Sequence, residues 1–206
     1  MRSAALATAL ARLGLLGAIG AWLVVAAATA APPVRPVPRL DVQRYAGTWF
    51  EIARLPNPLQ ERCVGDATAT YTPLDGRSVQ LVQRCRESGD RWAVTVGEAV
   101  AEEGDGSGAR FQLSYVPGWL RWWPQARDRH WVVLLDDDYR FAVVGDPARH
   151  SLWILARTPS LDRGTYAGIV DMLRARQYPV DRLVATPQRA DHQPGLPVAS
   201  RARLMV

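Results

Sequence analysis

The chain has 206 residues, of which 48% are hydrophobic and 22% are charged, so its composition is that of a globular protein and excludes wholesale disorder. All 25 basic residues are arginines, and against 20 acidic residues they give a formal net charge of +5 at pH 7. This excess does not indicate a nucleic-acid partner, because residues 40–186 contain 18 arginines and 19 acidic residues and the positive charge lies in the terminal segments.

Residues 1–30 are predicted to be a signal peptide. Two arginines precede an apolar run over residues 13–28, and Ala28-Thr29-Ala30 has the small-x-small pattern of a cleavage site. We expect cleavage after Ala30, because the apolar run is short for a bilayer span of about 20 residues; an uncleaved anchor is the alternative. No cysteine lies near the cleavage point, so we expect an exported protein, periplasmic or associated with the outer membrane, without a lipoprotein's lipid attachment.

The rest of the chain divides into three parts by composition. Residues 31–39 contain four prolines and are predicted to be an extended lead-in. Residues 40–186 are predicted to be the folded body. Residues 187–206 contain three prolines, show no apolar period and are predicted to be a disordered tail.

The folded body begins with eight strand-like segments joined by short turns, which predict an antiparallel meander. Eight such strands can close into an up-and-down barrel whose interior holds one small ligand, so we expect an all-β protein. The predicted strands cover residues 47–55, 64–72, 78–86, 91–101, 111–116, 131–135, 139–145 and 151–156.

One amphipathic helix follows the strands. Ser160 is its candidate N-cap, and Ile169 and Leu173 recur at helical spacing on its apolar face. We expect this helix to pack against the outside of the barrel and to end before Pro179. Residues 180–186 are a candidate ninth strand.

Three segments resemble the sequence motifs of the lipocalin family. Residues 45–54 (YAGTWFEIAR) resemble the first motif, residues 135–144 (LDDDYRFAVV) the second in its bacterial form, and residues 152–159 (LWILARTP) the third. The resemblance covers about residues 38–188 and is strongest to the bacterial outer-membrane lipocalins. It implies a calyx, which is an eight-stranded antiparallel β-barrel closed at one end, with one C-terminal α-helix packed outside.

The resemblance also implies structural roles for four motif residues, Gly47, Trp49, Tyr139 and Arg157. In the family, the motif tryptophan fills the closed end of the barrel and the motif arginine packs over its indole. We therefore expect a cation–π contact between Trp49 and Arg157 that does not involve the ligand.

The candidate ligand site follows from alternation, because successive side chains of a strand point to opposite faces. With Trp49 taken as inward, the inward set is apolar and aromatic, which suits an acyl chain, while its tyrosine and glutamine groups could orient a head group; packed core is the alternative for each residue. Glu51 is also inward and needs a buried partner, unless a bulge shifts the alternation. The predicted ligand-binding residues are Ala53, Ala67, Ala69, Tyr71, Leu81, Gln83, Leu113, Tyr115, Trp131, Val133 and Trp153.

Cys63 and Cys85 are predicted to form a structural disulfide. An exported domain meets an oxidising compartment, and the antiparallel strands on either side of the Asp75-Gly76 turn bring the two cysteines into near register. A nucleophilic or metal-binding thiolate is the alternative, although the sequence has no CxxC pair to support it.

Trp119, Trp122 and Trp123 lie within five residues of a predicted loop. Such a cluster indicates a lid or a contact with a membrane surface, and neighbouring arginines would add affinity for anionic lipids. Packing into the barrel and a dimer contact are the alternatives.

The predicted function is that of an exported lipocalin that binds a fatty acid or lysophospholipid, for lipid storage or transport and envelope maintenance. A haem or small-molecule scavenger is one alternative, but haem needs an axial histidine or methionine and the alternation places none in the calyx. An enzyme using Cys63, Cys85 or Glu51 is another; we expect no enzyme, because His130 and His150 lie at strand starts without a paired nucleophile. We expect no cofactor, no metal and no nucleic acid, and a monomer or homodimer.

Overall fold

A computed structural model describes residues 31–116, 120 and 127–189, together with the backbone of residues 202–204. Three predictions fall outside the described residues. These are the signal peptide, the tryptophan cluster of Trp119, Trp122 and Trp123, and the parts of the predicted tail at residues 190–201 and 205–206.

Eight β-strands form a closed antiparallel barrel in the described part of the chain. Each strand pairs with the next in sequence, and β8 pairs with β1, so the ring closes. This confirms the predicted up-and-down barrel. The strands are β1 (Gly47–Arg54), β2 (Cys63–Pro73), β3 (Ser78–Glu87), β4 (Trp92–Ala101), β5 (Arg110–Ser114), β6 (Asp128–Leu135), β7 (Phe141–Gly145) and β8 (Leu152–Ala156).

A short helix, α1 (Val42–Tyr45), precedes β1 and lies at one end of the barrel. The Asp41 carboxylate caps this helix by accepting the backbone N–H groups of Gln43 and Arg44. Its last residue, Tyr45, is buried in the interior cluster of the barrel, so α1 closes this end.

The second helix, α2 (Arg163–Ala175), packs on the outside of the barrel, as predicted. Ile169 and Leu173 are buried there against side chains of β6, β7 and β8. The helix begins after Asp162 rather than after the predicted cap Ser160, because the Asp162 carboxylate accepts a backbone N–H of the first turn at 2.9 Å. Neither helix of the described segments has the length and apolarity that a bilayer crossing requires.

The chain after α2 returns to the barrel and fills a gap in its wall. β1 pairs with β2 only over residues 47–50, and beyond that point β9 (Val184–Ala185) pairs with β1 instead. The side-chain amide of Gln188 donates to the carbonyl oxygens of Glu51 on β1 and Ala67 on β2, and so bridges the two strands. The folded body therefore extends beyond the predicted boundary at residue 186.

The other C-terminal elements also differ from the prediction. The candidate ninth strand is shorter than predicted, because Val180–Arg182 form a 3-10 turn and only Val184–Ala185, in β9, pair as a strand. A tenth strand, β10 (Ala202–Leu204), lies in the segment predicted to be disordered and pairs in parallel with residues 92–94 of β4.

A bulge in β1 reverses the alternation on which the predicted site relied. The pairing with β8 shifts between Glu51 and Ala53, so Glu51 lies opposite the interior residue Leu155 whereas Ala53 lies opposite Ile154 on the outer face. The prediction of Ala53 as a ligand-binding residue is therefore wrong, because this residue belongs to the cluster beneath α2. Arg54 takes the next inward position.

The inward and outward faces of strand β6 are the reverse of those predicted. His130 and Val132 face the interior, whereas Trp131 and Val133, both predicted to bind ligand, belong to the outer cluster with α2. Both faces of β6 are buried because α2 covers the outer one, so its apolar residues did not indicate which face is inward. A bulge after Val132 then returns Leu135 to the interior.

Candidate functional site

The end of the barrel beside α1 is sealed by Trp49 and Arg157. Trp49 is fully buried, and the guanidinium carbon of Arg157 lies 3.7 Å from the centroid of its indole ring. Arg157 also donates hydrogen bonds to the carbonyl oxygens of Thr48 at 3.0 Å and Ala46 at 2.9 Å. The contact implied by the resemblance is present, and it fixes the closed end from inside and outside.

Gly47 and Tyr139 complete the closed end. Gly47 has a φ of +93°, a conformation that favours glycine, and a Cβ atom there would lie 3.5 Å from Nη1 of Arg157. The Tyr139 hydroxyl accepts the backbone N–H of Asp41 at 2.9 Å, and the Arg44 guanidinium carbon lies 4.2 Å from the Tyr139 ring centroid. Tyr139 therefore ties the turn between β6 and β7 to α1.

A column of aromatic rings runs through the interior from the closed end. The ring centroids of Tyr45 and Trp49 are 5.0 Å apart, those of Tyr45 and Tyr71 are 4.8 Å apart, and those of Tyr71 and His130 are 6.0 Å apart. Trp153 continues the column, 5.9 Å from His130. These spacings fall in the range of favourable aromatic contacts, so the rings pack against one another from the closed end to the mouth cavity.

His130 is a functional candidate that the sequence prediction missed. It was expected at a strand start without a role, but its side chain is inside the barrel and the residue is only 4% exposed. Its Nε2 atom lies 3.0 Å from the Tyr71 hydroxyl oxygen. Burial lowers the pKa of His130 from 6.5 to about 4, so the imidazole is neutral at pH 7. The expectation that the calyx holds no histidine is therefore wrong.

A cavity of about 550 Å³ opens at the other end of the barrel, and we call it the mouth cavity. It lies between residues 56–59 of the β1–β2 loop, the β7–β8 turn and the facing ends of β5 and β6. Leu113, His130 and Trp153 form its interior side. Beneath His130 there remains a void of only about 10 Å³, so the mouth cavity does not continue to the closed end.

The remaining predicted ligand-binding residues fall at different depths. Leu113, Tyr115 and Trp153 line the mouth cavity, and the Tyr115 hydroxyl donates to Gln83 Oε1 at 2.8 Å. The others lie deeper or to one side. Tyr71 borders the small void, Ala69 and Leu81 belong to the packed interior, and Ala67 packs beside the cysteines with Ala93.

Glu51 is inward, as the alternation predicted, and it has buried partners. Its carboxylate accepts hydrogen bonds from Gln60 Nε2 at 2.6 Å and from the Thr186 hydroxyl, and Arg54 Nη1 lies 3.4 Å away. Burial raises the pKa of Glu51, while Thr186, Gln60 and Arg54 act in the opposite direction. Gln60 Oε1 accepts the Trp153 indole N–H at 2.8 Å, so this network ties the β1–β2 loop to the mouth cavity.

The predicted disulfide is present. Cys63 and Cys85 are bonded, their Cα atoms are 5.6 Å apart, and the described part of the chain contains no free cysteine. The bridge lies in a small cluster with Ala67 and Ala93 at the inner face of β2, β3 and β4. Because both sulfur atoms are in the bridge, neither supplies the thiolate that a cysteine-based enzyme requires.

The rim of the mouth cavity carries charges of both signs. Arg127 and Arg129 line it from the start of β6, and Asp128 and Asp146 line it beside them. Burial raises the pKa of Asp128, and the nearby Asp146 carboxylate adds to this effect. Within the described ranges, no group of three or more histidine, cysteine or acidic side chains is placed to hold a metal ion.

A family model and similar curated proteins both point to one protein family. The family model for a lipocalin-like domain matches residues 40–188. The chain is 33% identical over 150 residues to temperature-induced lipocalin-1 of Arabidopsis thaliana, covering 72% of this chain and 80% of the relative. It is 34% identical over 148 residues to the outer membrane lipoprotein Blc of Escherichia coli K12, covering 70% of this chain and 78% of the relative.

A solved structure shows the same fold at lower sequence similarity. Insecticyanin from the tobacco hornworm Manduca sexta superposes with a TM-score of 0.60 at 18% identity, covering 84% of this chain and 92% of that one. At this identity the likeness concerns the fold alone. With the family match over most of the body, the closed barrel and its sealed end, the conclusion is that this chain belongs to the lipocalin family.

Proposed function

We propose that this lipocalin binds a single-chain amphiphile, a fatty acid or a lysophospholipid, with the acyl chain in the mouth cavity and the head group at its rim. Membership of the lipocalin family supports binding of a small hydrophobic molecule. The observation that carries the finer proposal is the composition of the mouth cavity, where Leu113, Tyr115 and Trp153 provide an apolar interior beneath a charged rim.

The charges of the rim favour a head group that carries both signs. Arg127 and Arg129 can donate charge-assisted hydrogen bonds to a phosphate or carboxylate, and Asp128 and Asp146 can accept them from an ammonium group. A zwitterionic lysophospholipid would satisfy both pairs, whereas a fatty acid would use the arginines alone. We therefore expect a zwitterionic lysophospholipid to bind more tightly than a fatty acid of equal chain length.

We propose that binding serves lipid storage or transport and maintenance of the cell envelope. The similarity to proteins named outer membrane lipoproteins supports an envelope location, and the signal peptide expected at residues 1–30 agrees with it. The residence is periplasmic or at the outer membrane.

The test is a direct binding measurement on the purified protein. Native mass spectrometry with hexadecanoic acid and with a palmitoyl lysophosphatidylethanolamine should detect one bound molecule of each. The double variant Arg127→Ala/Arg129→Ala should bind both roughly three- to tenfold more weakly, because exposed charge pairs contribute up to about 1 kcal/mol each. Arg163→Ala, which removes an exposed arginine from α2, is the matched control. No complex with either lipid at high excess would contradict the proposal.

A second candidate function, haem binding, is favoured by the position of His130. Its lowered pKa, about 4, leaves the imidazole neutral, and neutral imidazole is the form that ligates iron. Titration with hemin tests this candidate. A shift of the Soret band that is lost in His130→Ala and kept in His150→Ala would favour haem over lipid.

A further inference from the structure

The contact between Tyr71 and His130 spans the lumen of the barrel. Tyr71 is on β2 and His130 is on β6, and these strands are four positions apart in either direction around the eight-stranded ring. Their side chains must therefore extend toward each other from opposite walls. The hydroxyl oxygen and Nε2 meet at 3.0 Å, which makes a continuous bar across the interior.

This bar separates two spaces. His130 borders both the mouth cavity of about 550 Å³ and the inner void of about 10 Å³, whereas Tyr71 borders only the void. The imidazole is therefore the partition between them. The other residues that bound the void include Tyr45, Phe111 and Val132, so the space behind the partition is mostly apolar.

The partition is held in place by its neighbours. His130 contacts the Tyr71 ring on one side and the Trp153 ring on the other, with centroids about 6 Å away in both directions. Trp153 is itself fixed by its indole hydrogen bond to Gln60. The imidazole is thus a positioned floor of the mouth cavity, held by a hydrogen bond and by packing.

We propose that His130 is a specificity-determining residue that sets the length of acyl chain the calyx accepts. This inference rests on the proposed function. A chain that enters between Leu113 and Trp153 ends against the imidazole, and methylenes beyond that length stay at the rim in water.

The position of His130 as the floor of the mouth cavity can be tested by measuring the affinity of fatty acids of increasing chain length. Each methylene buried in an apolar site strengthens binding roughly fourfold. Affinity should therefore rise along the series from octanoic to octadecanoic acid until the chain reaches His130, and then stay nearly constant. The chain length at which the rise stops is the break point.

The experiment compares break points by competition with a fluorescent fatty-acid probe. In His130→Ala, the break point should move to longer acids, because removal of the imidazole joins the mouth cavity to the void. His130→Asn, a smaller polar side chain, should move it in the same direction by less, and this variant decides the question if His130→Ala does not fold. Arg163→Ala is the control, because it removes an exposed side chain of α2 that does not line the cavity, and its break point should equal that of the wild type.

Two results would overturn the inference in different ways. An unchanged break point in a folded His130 variant would overturn it alone and would leave the proposed lipid binding intact. No binding of any acid to the wild type would overturn the proposed function and this inference with it.

Discussion

Arg157 stacks on the indole of Trp49 with its guanidinium carbon 3.7 Å from the ring centroid, at the end of the barrel opposite the mouth cavity. The arginine reaches this position from the end of β8 and also binds the carbonyl oxygens of the segment that joins α1 to β1. One side chain thus holds the first and eighth strands of the barrel and the closing helix together.

Replacing Arg157 by lysine should destabilise the protein although the charge is kept. An ammonium group cannot stack flat on the Trp49 ring or reach several carbonyl oxygens at once, so we expect a loss of about 2 kcal/mol in the free energy of unfolding. Urea denaturation measures this loss. Arg163→Lys on the exposed start of α2 is the control and should change stability by less than about 0.5 kcal/mol. Equal effects of the two substitutions would contradict the role of Arg157.

Acid should destabilise the protein through His130. The pKa of His130 is lowered to about 4 in the folded protein, against 6.5 for the unperturbed group, so between these values the unfolded chain binds more protons. The free energy of unfolding should therefore fall by roughly 3 kcal/mol as the pH drops from 6.5 to 4. Glu51 acts in the opposite sense, because burial raises its pKa and the folded protein takes up that proton first.

The contribution of His130 to the pH dependence can be isolated by difference. His130→Gln removes the titrating group, so its stability should decline less than that of the wild type between pH 6.5 and 4, while Glu51 and the surface carboxylates contribute equally to both. Urea denaturation at several pH values gives the two curves. Parallel curves would show that the imidazole is not buried in its neutral form.

The Cys63–Cys85 bridge should stabilise the fold without shaping the ligand site. It joins residues 22 positions apart, and a loop of that size corresponds to about 3 kcal/mol of stability. The Cys63→Ser/Cys85→Ser variant should lose this amount in chemical denaturation. Its affinity for lipid should stay unchanged, because the bridge packs with Ala67 and Ala93 and does not line the mouth cavity. Reduced wild-type protein is the control and should match the variant.

Asp66 should hold the C-terminal segment on the barrel. Its fully buried carboxylate pairs with Arg86 Nε at 2.7 Å and Arg189 Nε at 2.6 Å, and it accepts the backbone N–H of Arg189. Asp66→Asn should cost about 2 kcal/mol, because charge-assisted hydrogen bonds are replaced by neutral ones. Hydrogen exchange should then become faster at the Thr186 amide, which bonds to Ile52.

Asp171→Asn is the matched control for Asp66. Asp171 pairs with Arg174 on the exposed face of α2, so the same change of carboxylate to amide should leave both the stability and the Thr186 exchange rate nearly unaltered. If Asp66→Asn behaves in the same way, the C-terminal segment is held by other contacts.

The sequence by itself determined the features that depend on short-range patterns. Alternation of apolar residues and the turns between them predicted the eight strands, and the motifs around Trp49 and Arg157 indicated the closed end. The disulfide could also be predicted, since Cys63 and Cys85 flank one hairpin. These features can be predicted from sequence because each depends on neighbouring residues or on a single turn.

Only the tertiary structure decided which side chains face the lumen. The extra residue in the bulge of β1 leaves no mark in composition, so Ala53 was assigned to the wrong face. On β6 both faces are buried, because α2 covers the outer one. Alternation of apolar residues therefore could not show that His130 faces the lumen. The bond of His130 to Tyr71 joins residues 59 positions apart, and only closure of the barrel brings them together.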